Sequence, residues 1–154
     1  MDRFLFKLKV AYPDAREEAE VLRRAGGGEE PVLPVVTGAE LLEAGRRARA
    51  VRLDEAIRAY IVRLVQATRP GPGGGWKGRE MLRCGASPRA SLALQAAARA
   101  LAFLDGRDHV LPEDVAALAP DVLRHRLLLT FESEADGATT DDLVGALLAA
   151  VPRP

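Results

Sequence analysis

Apolar residues recur along most of this chain at helical spacing; only its opening alternates with period two. From Phe4 to Ala11 (FLFKLKVA) apolar and basic residues take turns, which predicts a half-buried strand ended by Pro13. Asp14 and Glu17 form a capping-box pattern for a helix reaching about Arg24, and Gly26, Gly27 and Gly28 open a link to Pro34. Thr37 and Glu40 repeat the box and predict a short helix to about Arg47, with Val51 to Leu53 extending briefly. Asp54 is placed to cap a stronger helix whose apolar face is Ala56, Ile57, Tyr60, Ile61, Leu64 and Val65.

Arg69 to Gly78 (RPGPGGGWKG) is too rich in glycine and proline for regular structure, so a hairpin-like loop is expected there. Ser87-Pro88 starts the next helix: the serine oxygen accepts from an orphan amide, and proline at the first helical position forfeits no hydrogen bond. That helix should run to about Asp105, pack through Leu94, Ala97, Ala98, Leu101 and Leu104, and close at Gly106. Leu111-Pro112-Glu113-Asp114 starts another, with Val115, Leu118 and Ala119 inward. Thr139 to Val151 supplies the last, with Leu143, Val144, Leu147, Leu148 and Val151 on one side. The pattern predicts a mainly α protein: a helical bundle with one orphan N-terminal strand and a short hairpin near residues 67–84.

Composition narrows the function classes. The 154 residues suit one domain with a short appendage, and 48% hydrophobic content is enough for a core. Lys+Arg and Asp+Glu both number 22, so no net positive charge supports nucleic-acid binding. Arg46, Arg47, Arg49 and Arg52 do cluster, but Glu40 and Glu43 precede them at helical spacing, as on a solvated or subunit-contacting face. The single cysteine, Cys84, cannot form an intramolecular disulfide, and the Met1 to Lys9 stretch is too short and too charged for a signal peptide or membrane span. A cytoplasmic protein without a membrane partner is expected.

No complete catalytic set is visible. Gly71 to Lys77 is the tempting phosphate loop, yet Lys77 follows Trp76 and Gly78 stands where Ser or Thr should be. His109 and His125 are far apart and Cys84 lacks a partner at ligand spacing, so no metal site is expected. His109 beside Asp108 reads as a turn residue, His125 between Arg124 and Arg126 as a histidine whose protonation is disfavoured, and Cys84 as a packing thiol. Asp105, Asp108, Glu113 and Asp114 occupy helix ends, where capping accounts for them, and Glu132 and Glu134 read as a solvated run.

Several segments together resemble the MoxR family of AAA+ ATPases. Asp2-Arg3-Phe4, the strand and Tyr12-Pro13-Asp14 are similar to the family's last core strand and final core helix. Tyr60-Ile61-Val62 and Ala67-Thr68-Arg69 are similar to its first lid helices. Gly85-Ala86-Ser87-Pro88-Arg89-Ala90 is the most specific match, continued by Ala100-Leu101-Ala102, Gly106-Arg107-Asp108, Pro112-Glu113-Asp114-Val115 and Leu123-Arg124-His125-Arg126. The resemblance implies two parts: residues 1–30 as a remnant of the ATPase core with a linker, and residues 31–154 as a helical lid.

It also implies a nucleotide-driven ring in which the lid closes over its own subunit's ATP. Arg89 then stands at the sensor-2 position beside Ser87 and Pro88, where a fixed guanidinium faces the γ-phosphate. Arg3 resembles the arginine finger offered in trans to a neighbouring subunit's ATP. Partners implied are the chain's own ATPase core, neighbouring subunits and proteins with a von Willebrand factor A domain; ATP and magnesium would serve the full-length protein. The phosphate loop, the metal-binding acidic strand and the sensor-1 residue are not in this sequence, so neither cofactor nor hydrolysis is expected of this chain alone. A piece of a longer protein or a natural short product would each account for that. The alternative is a stand-alone helical adaptor that binds a protein and no nucleotide.

Overall fold

A computed structural model describes residues 2–25, 27, 31–69 and 76–154 of the chain. Gly26, Gly28 and Gly71 to Gly75, which carry parts of the predicted glycine link and of the tempting phosphate loop, lie outside the described residues. The described residues hold seven α-helices and one two-stranded sheet: α1 (Ala15–Ala25), α2 (Gly38–Ala50), α3 (Glu55–Ala67), β1 (Leu82–Cys84), α4 (Pro88–Leu104), α5 (Pro112–Leu123), β2 (Leu128–Leu129), α6 (Phe131–Ala135) and α7 (Thr140–Ala150). The fold is mainly α, as the periodicity predicts. None of the helices is long and apolar enough to cross a membrane.

The capping chemistry explains most helix starts. Glu40 donates its backbone N–H to Thr37 Oγ1 and its carboxylate accepts from the Thr37 amide at 2.7 Å. Thr139 and Asp142 repeat the box at α7. Thr130 caps the short α6, a helix where the sequence pattern predicts only a solvated run. Asp54 precedes α3 but makes no capping bond; its carboxylate faces Arg52 at 3.5 Å instead.

Helices α3, α4, α5 and α7 surround one core, and α2 lies against α4. Tyr60 and Leu64 from α3, Leu94 and Ala98 from α4, Val115 and Leu123 from α5, and Val144 and Leu147 from α7 are buried at its centre. Each such leucine contributes roughly 2 kcal/mol by leaving water. The predicted stripes are corrected at two edges: Ala56 is exposed, and Leu104, expected inward, is also exposed at the last turn of α4. α1 and α2 bury none of their residues.

Two expectations about strands need correction. The stretch Phe4 to Ala11 is extended and unpaired, as an orphan strand should be, but it is exposed along its length rather than half-buried. Arg124 and Arg126 beyond α5 meet its carbonyls at Phe4, Leu5 and Lys7, and no core face among the described residues covers its side chains. The hairpin expected near 67–84 is not local. β1 pairs antiparallel with the remote β2, Leu82 opposite Leu129 and Cys84 opposite Leu128.

Candidate functional site

The site is built around the loop Gly85-Ala86-Ser87 and the first turn of α4. Thr68, fully buried at the end of α3, donates its Oγ1–H to Val65 O at 2.7 Å and accepts from the Ala86 amide at 3.0 Å. Arg69 Nε donates to Ala86 O at 2.7 Å. Gly85 lies against the same turn: a Cβ there would stand 2.1 Å from the Thr68 carbonyl oxygen. Glycine is required because backbone meets backbone. Two segments distant in sequence, Thr68-Arg69 and Gly85-Ala86, thus fix where α4 begins.

Ser87 is the N-cap of α4, its Oγ accepting from the Arg89 amide at 3.2 Å, and Pro88 opens the helix. The Ser87 hydroxyl donates to Asp2 Oδ2 at 2.8 Å. Arg89, whose side chain is 58% exposed, reaches the same carboxylate oxygen at 3.4 Å. Arg126 Nε donates to the other oxygen of Asp2 at 3.2 Å, with an Arg126 side chain only 2% exposed. Asp2 therefore gathers one hydroxyl and two guanidinium groups. The Ser87 hydrogen bond, with help from Arg126 and Arg89, holds its carboxyl below the usual carboxylate range against a smaller upward push from burial.

The same arginine grips the backbone. Arg126 Nη2 donates to the carbonyls of Asp2 (3.3 Å) and Phe4, and Nη1 to those of Leu5 (3.2 Å) and Val122. His125 Nε2 donates to Phe4 O at 3.0 Å, leaving its Nδ1 buried without a partner among the described residues. Burial keeps the His125 imidazole below its ordinary pKa, as its position between two arginines predicts. Arg124 Nη1 donates to Lys7 O at 2.5 Å and its Nε to Asp141 at 2.8 Å, while Lys9 also pairs with Asp141. The Lys7 amide closes the set on Asp121 O at 2.9 Å. Arg124-His125-Arg126 is thus a cradle for the extended segment from Asp2 to Lys9.

A separate clamp shapes the loop between α4 and α5. Arg107 meets Asp114 through both nitrogens, at 2.8 and 2.7 Å, and also Asp105 at 2.8 Å. Burial pushes the Asp114 carboxyl upward, but Arg107 and the Leu111 amide outweigh it and hold it low. These carboxylates have structural partners, as helix-end residues should. His109 pairs with Asp108 at 2.8 Å on the surface, within the predicted turn. Cys84, expected as a packing thiol, is exposed: it sits on β1 and donates weakly to Gly85 O at 3.5 Å. Along β1, Leu82 packs against the core while Arg83 and Cys84 are exposed.

Of the sequence-predicted site residues, Ser87, Pro88 and Arg89 come together at one helix start, and Arg3 follows directly on Asp2, which touches two of them. Arg3 itself is exposed and has no ion pair among the described residues. Sequence reasoning missed Asp2 and Arg126, whose meeting across the chain leaves no spacing signal. No group of three or more His, Cys, Asp or Glu side chains suited to a metal ion occurs among the described residues.

Residues 79–147 match the family model described as the AAA lid domain. Over 154 residues the chain is 41% identical to the protein named Chaperone MoxR1 of Mycobacterium tuberculosis, covering 99% of this chain and 41% of that protein. It is 34% identical to the protein MoxR of Methylorubrum extorquens, covering 99% of this chain and 49% of that protein. The chain belongs to the MoxR family of AAA+ ATPases. A crystal structure of a candidate ATPase from Cytophaga hutchinsonii has the same fold as this MoxR lid, with a TM-score of 0.88 at 33% identity over 99% of this chain and 47% of that one. The chain spans less than half the length of these relatives. The Gly85 to Arg89 loop, α4 and the Arg124-His125-Arg126 cradle all fall within the matched lid.

Proposed function

We propose that this lid serves a MoxR-type ATPase that, as a whole protein, uses ATP and magnesium to remodel or activate partner proteins. Residues 1–30 then form the end of the ATPase core and its linker, and residues 31–154 the lid. Arg89 reads the γ-phosphate as a sensor-2 arginine, with Ser87 and Pro88 setting the helix start that aims it. Arg3 serves a neighbouring subunit's ATP as an arginine finger, which makes a homo-oligomeric ring the working form. Proteins with a von Willebrand factor A domain are the client class we favour, in the cytoplasm.

The observation that carries this reading is the contrast at the start of α4. Backbone and cap are pinned by Thr68, Arg69 and Gly85, while the Arg89 guanidinium itself stays largely exposed. A fixed base under an accessible charge is what electrostatic stabilisation of a phosphate requires, since such a group need not reorganise when the charge develops. Arg89 suits a terminal phosphate, and this reading assigns the remaining nucleotide contacts to an ATPase core.

Calorimetric titration of ATP with magnesium tests the reading, comparing this chain with one extended upstream through a whole ATPase core. Binding by the extended protein that weakens on Arg89→Ala supports it. Tight binding by this chain alone, or indifference of the extended protein to Arg89→Ala, overturns it.

A further inference from the structure

Asp2 ties the start of the chain to the lid. Its carboxylate meets Ser87 Oγ, Arg89 Nη1 and Arg126 Nε, residues 85 to 124 positions away, and its carbonyl meets Arg126 Nη2. Arg126 is almost wholly buried and extends the same grip to the carbonyls of Phe4 and Leu5. The contacts are directional and charge-assisted, so each fixes orientation as well as distance. They leave the backbone on both sides of Arg3 little freedom to move relative to α4.

We propose that Asp2 is a positioning residue that clamps the Arg3-bearing segment to the first turn of α4, so that Arg3 and Arg89 are carried by one rigid body. The functional part of this rests on the nucleotide roles given above to Arg3 and Arg89. The lid then moves as one with the end of the core that carries Arg3, and a subunit cannot withdraw one arginine while presenting the other. Asp2 touches no nucleotide in this scheme; it acts through Ser87, Arg89 and Arg126. A displacement of about one ångström in a group that stabilises developing charge costs up to about a hundredfold in rate, so a loosened clamp shows in turnover.

Two measurements test the proposal. The first uses this chain with Cys84→Ser, spin labels at positions 4 and 92, both exposed, and pulsed EPR distances. One narrow distance is expected, broadened by Asp2→Ala and less so by Asp2→Asn, which keeps an acceptor oxygen. A distribution unchanged by Asp2→Ala overturns the clamp. The second measures ATP turnover by the protein extended through its ATPase core. There Asp2→Ala should lower kcat about tenfold with KM within about twofold, and Asp2→Asn should restore part of it. A broadened distance with unaltered kcat, in a protein that Arg3→Ala and Arg89→Ala do inactivate, overturns the positioning role. If those two arginine variants leave turnover intact, the nucleotide reading fails instead, and the EPR result alone upholds or removes the clamp.

Discussion

Gly85 and Thr68 touch backbone to backbone, so closely that a single methyl group on Gly85 would stand 2.1 Å from the Thr68 carbonyl oxygen. Neither partner is the flexible end of a side chain, and the contact cannot be relieved by a rotamer change. Gly85→Ala should cost about 3 kcal/mol of folding stability by overpacking. Thr68→Val should cost about 2 kcal/mol, because it keeps the shape but leaves the buried Ala86 amide without its acceptor. Denaturant unfolding of the two variants against the parent chain checks both.

Arg89 and Arg126 reach the same carboxylate from opposite exposures, and their removal should separate function from fold. Arg89→Ala takes away a largely exposed side chain and should shift stability by no more than about 0.5 kcal/mol. Arg126→Ala deprives four backbone carbonyls and Asp2 of a buried donor and should cost about 2 kcal/mol. Hydrogen exchange should locate the Arg126 loss at the Lys7 amide, which bonds Asp121 O in the parent chain. An undiminished protection of Lys7 would contradict the cradle.

His125 makes the docked segment sensitive to mild acid. Its folded pKa lies below the ordinary value of 6.5, chiefly through burial, so the unfolded chain takes up a proton more readily than the folded one. Stability contributed by neutral His125 is complete above about pH 7 and is lost as the pH falls from near 6.5 toward the folded pKa. His125→Gln keeps an N–H for Phe4 O and should flatten this part of the stability profile. A parent chain with no slope between pH 7 and 5 would disprove it.

The Arg107–Asp114 clamp should be the least forgiving ion pair of the lid. Asp114 is buried, so Arg107→Ala strands a carboxylate and should cost about 3 kcal/mol. Arg107→Lys should recover only part, since an ammonium cannot meet both oxygens in parallel. Thermal unfolding ranks the three proteins.

Much of this architecture is legible in residue order. The capping pairs Thr37/Glu40 and Thr139/Asp142 and the Ser87-Pro88 start are local, so spacing reveals them. Leu104 shows the limit: periodicity puts it on the inner face of α4, but in the last turn Ala102 takes the core position and Leu104 is 79% exposed. The extended Phe4 to Ala11 segment has the alternation of a strand and no sheet, because alternation encodes two faces and says nothing about a ladder partner. The candidate site is half visible in the same way. Ser87, Pro88 and Arg89 sit in one motif, whereas Asp2 and Arg126 meet across 124 positions, a separation that no local pattern carries.

The small sheet has a bearing on the order in which the chain folds. Pairing Leu82 with Leu129 closes a loop containing all of α4 and α5. Closing a loop of that length costs roughly 3 kcal/mol of chain entropy by the logarithmic dependence alone, and two such short strands are not stable in isolation. The ladder can close only once α4 and α5 have packed and carried its two halves together. The Thr130 amide, which donates to Met81 O at 2.9 Å beside the pairing, should thus acquire exchange protection late in refolding, after the helical amides, and report when the bundle is assembled.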